Sequence, residues 1–75
     1  MDKDDSNRRL GRCVRSLRER RGMEQPDVAA LLDCTKQYVS RVELGKVSVT
    51  YYWIERFCEA MEISVEEFIQ ERQKF

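Results

Sequence analysis

Two helix-like segments joined by only three residues, Asp33-Cys34-Thr35, constrain this chain more than any other feature. The first, Gln25 to Leu32, has Pro26 in its opening turn, where a missing N–H costs nothing. Its apolar face is Val28, Ala29 and Leu32. The second, Lys36 to Leu44, follows the N-cap candidate Thr35 and is closed by Gly45, with Val39 and Val42 as its apolar pair. Helices this short are marginal in water. So short a joint forces them to cross closely, with Ala29 as the small residue at the crossing. Their apolar residues must then meet a core supplied by the rest of the chain.

That core is written in the same period. A first helix is expected from Ser6 to Arg21, capped by Asp5 or Ser6, with Leu10, Cys13, Val14 and Leu17 facing inward and Gly22 ending it. After the loop Lys46 to Val49, Thr50 caps a fourth segment whose stripe is Tyr51, Ile54, Phe57, Cys58 and Met61. Ser64-Val65-Glu66-Glu67 is a capping box that opens a fifth through Phe68 and Ile69. Only three glycines and one proline interrupt the pattern, and no long stretch alternates with period two. The fold class is therefore all-α, with five helices. Residues 1–6 are expected to be a flexible acidic tail, 7–70 the folded domain and 71–75 a C-terminal tail.

Composition removes several classes of function. The chain has no histidine, so the commonest general base and metal ligand are absent. Cys13, Cys34 and Cys58 are too widely spaced for a CxxC zinc pair and read as reduced, buried thiols of a cytoplasmic protein. The longest apolar run, Val28 to Leu32, is far shorter than the ~20 residues that span a bilayer. No hydrophobic stretch follows the acidic opening, so no signal peptide is expected. No enzyme activity, metal, cofactor or membrane contact is expected. The formal net charge is zero, but the charge is segregated along the chain. Residues 8–46 carry ten basic and five acidic side chains, whereas residues 47–75 carry three basic and six acidic ones. One half suits a polyanion and the other avoids it.

Two short helices with a three-residue turn make a helix-turn-helix, whose second helix enters the DNA major groove. Lys36, Gln37, Ser40 and Arg41, exposed on that second helix, are hydrogen-bonding types suited to base edges. The stretch LRERRGMEQPDVAALLDCTKQYVSRVELGK resembles the Cro/C1-type (XRE-type) helix-turn-helix of phage repressors and bacterial regulators, and IERFCEAMEISVEEF resembles that family's fourth and fifth helices. The likeness covers about residues 8–69 and extends to small Cro-like regulators and restriction–modification controller proteins. Three positions depart from the family's habit. Asp33 replaces a glycine in the turn, Glu24 a Ser or Thr cap, and Val49 a proline.

The resemblance implies a five-helix, lambda-repressor-like domain that binds double-stranded DNA as a homodimer on a palindromic operator. It implies that Lys36, Gln37, Ser40 and Arg41 read bases, and that Gln25, Thr35, Tyr38, Lys46 and Ser48 lie against the DNA backbone. It also implies that Arg18 and Glu43 link the first helix to the end of the third as a structural ion pair. Tyr52 and Trp53 project sideways from the fourth stripe and, with Ile69 and Phe75, are the expected dimer contacts. The acidic half leaves RNA polymerase or another protein as a further partner. It also keeps open a different class, a protein-interaction module such as an antitoxin or adaptor.

Overall fold

The computed structural model describes residues 2–75, in which there are five α-helices and no strand. They are α1 (Lys3–Arg20), α2 (Gln25–Leu31), α3 (Lys36–Glu43), α4 (Tyr51–Met61) and α5 (Val65–Arg72). α1 packs on α3 and α5, α2 on α3 and α4, and α4 on α5. The helix starts follow the capping chemistry read from the sequence. Thr35, Thr50 and Ser64 accept the N–H of Tyr38, Trp53 and Glu67 at 3.0–3.1 Å, and Glu67 returns a bond to the Ser64 N–H. At Glu24 the bond comes from the other side: the Asp27 carboxylate accepts the Glu24 N–H at 2.8 Å. Asp33 holds the left-handed conformation of the turn, φ 54°.

Helix and packing extend further toward both termini than the sequence implies. α1 begins at Lys3, because Asp2, not Asp5 or Ser6, caps it by accepting the Asp5 N–H at 2.7 Å. Asp4 and Asp5 then sit in the first turn, where the helix dipole favours negative charge. Residues 3–6 are thus helix rather than tail, and Met1 lies outside the described residues. At the other end α5 runs to Arg72, and Phe75 packs half-buried against the core.

The core draws on every helix: Cys13, Val14 and Leu17; Val28 and Ala29, with Leu32 just beyond α2; Val39 and Val42; Phe57, Cys58 and Met61; and Phe68. Each large apolar side chain buried there contributes roughly 1.5–3 kcal/mol. Burial pushes the Cys13 thiol up to about 12 and Cys58 up to about 11. Both remain protonated and unreactive, and Cys13 donates its S–H to the Phe68 carbonyl at 3.6 Å.

The expected stripe of α4 holds at Ile54, Phe57, Cys58 and Met61 and fails at its first residue: Tyr51 is exposed at 62%, and Trp53 packs against the core instead. Trp53 stacks on Phe57, centroids 5.5 Å apart, and meets the edge of Tyr38. Phe57 in turn meets Phe68 edge-on at 6.1 Å. An aromatic column therefore ties α3 through α4 to α5. Trp53 is a packing residue, half-buried and not a projecting aromatic.

Two features escape any reading of periodicity. Gly11 lies where α1 touches the end of α3, and a Cβ there would strike the Val42 carbonyl oxygen and come within 2.6 Å of the Glu43 one. On α5, Glu71 is a buried carboxylate that pairs with Arg20 and Lys74 and accepts the Ser16 hydroxyl at 2.9 Å. Bonds from Arg20, then Lys74 and Ser16, hold its carboxyl down at about 2, against 4.5 ordinarily.

Gly11→Ala should destabilise the domain by about 1–3 kcal/mol in urea melts, although alanine is the better helix former. Because the Glu71 pKa falls on folding, its contribution is present above about pH 4.5 and lost as pH drops toward about 2. Melting temperatures from pH 6 to 2 should show the gap between wild type and Glu71→Gln closing across that window.

Candidate nucleic-acid interface

The expected reading residues share one face. Lys36, Gln37 and Arg41 are exposed, Ser40 is half-buried, and the four alone line a shallow depression on α3. None of their side chains has a hydrogen bond or ion pair among the described residues. With its side chains an α-helix is about 10–12 Å across, which the roughly 12 Å width of the major groove admits.

What holds this helix is a buried ionic joint. Arg18 of α1 grips Glu43 at the end of α3 with two parallel bonds, 2.7 Å from Nε and 3.0 Å from Nη2. Its Nη1 donates to the Met23 carbonyl at 2.8 Å. Gln25 completes the joint by donating from Nε2 to the same Glu43 carboxylate at 3.0 Å. The Arg18 and Glu43 side chains are only 9% and 4% exposed, which makes this a buried, bidentate, charge-assisted contact. α1, the start of α2 and the end of α3 meet at that one carboxylate.

The flanking positions are distributed around this helix. Thr35 is exposed with its hydroxyl committed to the α3 cap. Tyr38 is half-buried against Trp53. Lys46 is exposed, and Ser48 exchanges hydrogen bonds with Asn7 of α1, which ties down the loop after α3.

A helix-turn-helix domain family matches residues 9–68. The chain belongs to this family of DNA-binding transcriptional regulators and is of the XRE type. Among solved structures, this helix-turn-helix protein is similar to the clp gene regulator ClgR of Corynebacterium glutamicum, with 25% identity and a TM-score of 0.86 over 92% of this chain and 90% of that one. It is also similar to the restriction–modification controller protein C.AhdI of Aeromonas hydrophila, with 28% identity and a TM-score of 0.84 over 91% and 99%. A hypothetical transcription factor from Neisseria, NHTF, shares 26% identity at a TM-score of 0.79 over 99% and 88%. Among curated proteins none matches the sequence.

Elsewhere on this helix-turn-helix protein, Tyr52 and Ile69 are exposed at 67% and 50%, whereas Trp53 and Phe75 are half-buried. One supporting residue escapes the sequence reading. Arg56 of α4 donates to the Leu31 and Leu32 carbonyls at 3.2 and 3.3 Å, capping the end of α2, while its guanidinium lies 6.0 Å from the Tyr52 ring. Its only signal is a lone cation in a stretch otherwise acidic and apolar. Among the described residues no helix is long and apolar enough to cross a membrane, and no cluster of three acidic or thiol groups is placed to hold a metal.

Breaking a buried ion pair from one side leaves an uncompensated charge and costs about 3–5 kcal/mol. Arg15→Ala removes only an exposed pair to Glu19, worth about 0–1 kcal/mol. Denaturant melts should therefore separate Arg18→Ala from Arg15→Ala by several kcal/mol; coincident curves would refute the role given to this joint.

Proposed function

We propose that the chain is a sequence-specific cytoplasmic regulator that binds duplex DNA as a homodimer, each copy laying α3 into the major groove of one half of a palindromic site. The observation that carries this reading is the α3 face itself. Four hydrogen-bonding side chains with no partner among the described residues stand on a helix fixed by Arg18, Glu43 and Gln25. The roles of ClgR as a gene regulator and of C.AhdI as a controller protein support it. Gln25, at the start of α2, and Thr35, Tyr38, Lys46 and Ser48 are assigned to the flanking backbone, and Lys36, Gln37, Ser40 and Arg41 to the bases. No transformation of a substrate is assigned to the chain.

A single eight-residue helix reads only a few base pairs, too few to select one site among ~10⁶ or more competitors. Two copies on a two-fold axis double the contact, with half-sites about 34 Å apart. Tyr51 and Tyr52 on α4 and Ile69 on α5 supply exposed apolar surface for that contact, in the acidic half of the chain.

The test begins with selection of a duplex from a random pool. Arg41→Ala or Gln37→Ala should weaken the selected site by about 1–3 kcal/mol and spare non-specific binding. Lys46→Ala should weaken all sequences alike. Light scattering at micromolar concentration should give a dimer mass, reduced by joint Tyr52→Ala and Ile69→Ala substitution. A protein that enriches no duplex overturns the reading.

A further inference from the structure

α1 carries a row of arginines that no assigned role absorbs. Arg8, Arg12 and Arg15 recur at i, i+4 and i+7, so they stack on one face of the helix. With Leu44 and the buried Glu43 they surround a single surface depression. Leu44 is exposed at 59% and lies one turn beyond Ser40 and Arg41, so the reading face of α3 continues over Leu44 directly onto these arginines. Glu43 brings no free charge to the depression, because Arg18 and Gln25 already hold its carboxylate.

Like charges at these spacings repel one another and weaken a helix. Their partners inside the protein are few. Arg8 is 3.8 Å from Asp5 and Arg15 is 3.2 Å from Glu19, both exposed pairs at the two ends of the row. Arg12 has no partner among the described residues. Seven residues of helix span about 10 Å, the axial rise of about three phosphates on one DNA strand.

We infer that Arg8, Arg12 and Arg15 form a phosphate-binding rail that clamps the DNA backbone beside the bases read by α3. The inference rests on the DNA-binding reading above and assigns α1 a direct part in affinity. The rail adds binding strength without sequence preference, since phosphates carry no base information.

The experiment measures the salt dependence of binding to the duplex enriched from a random pool, for wild type, Arg12→Ala/Arg15→Ala and Arg21→Ala. Arg21 pairs with Glu62 and serves as a single-charge control on the same stretch of chain, outside the row. The double variant should flatten the plot of log K against log KCl by about 0.9 for each phosphate it no longer neutralises, or about 1.8 per protomer. Its ratio of enriched to scrambled duplex should equal that of wild type, and Arg21→Ala should leave the slope unchanged. A wild-type slope in the double variant overturns the rail while leaving the DNA-binding reading intact. A flattening of about 0.9 in Arg21→Ala also overturns it, by reducing the effect to net charge. A wild type that enriches no duplex removes the reading, and the rail with it.

Discussion

The Glu43 carboxylate is the point on which this small structure turns. It receives both arms of Arg18 and the amide of Gln25, and so joins three helices within one buried hydrogen-bonded cluster. Burying charge is costly unless its groups are hydrogen-bonded, and here the Met23 carbonyl accepts from the third guanidinium nitrogen. The geometry also dictates how close the helices come. α1 must approach the end of α3 far enough for Arg18 to reach, and Gly11 removes the side chain that would hold the two backbones apart. The same closeness recurs one turn away, where Gly45, at φ 76°, faces the Arg8 backbone. An ionic joint and two missing side chains are parts of one solution.

Around that joint the molecule divides its labour. α1, α2 and α3 carry the basic surface, while α4 and α5 supply the largest core side chains and a net negative charge. Contact between the halves is not only apolar. Arg56 reaches from α4 to terminate α2, Arg21 pairs with Glu62 after α4, and Glu71 ties α5 back to Arg20 and Ser16 of α1. The aromatic column from Tyr38 to Phe68 runs through the interior between them.

Much of this is legible in the sequence because it is local. The caps at Thr35, Thr50 and Ser64, the Asp33 turn and the inward stripes of α1, α2 and α3 depend on neighbours within one or two turns. The Arg18–Glu43 pair is legible only through the family resemblance. Long-range features leave little trace. Glu71 reads as one more acid on a polar helix until α1 is seen to surround it, and Gly11 reads as a mild defect in a helix. The first turn of α4 defeats a pattern in which Tyr51 and Trp53 are equally apolar; the choice between them is made by Tyr38 and Phe57. At the N-terminus, Asp2 does not stand out as a cap because acidic residues there also fit a tail.

Among the described residues the side chains of Lys36, Gln37, Ser40 and Arg41 make no hydrogen bond or ion pair, and this has an evolutionary consequence. Residues that hold nothing else can be exchanged one at a time with little loss of folding stability, since surface substitutions away from structural contacts usually shift it by no more than about 0.5 kcal/mol. The scaffold can therefore diverge to new recognition sequences through single steps that each leave a folded protein. Duplicated copies of such a chain are free to drift apart in what they recognise while keeping the same joint, the same close approach at Gly11 and the same core.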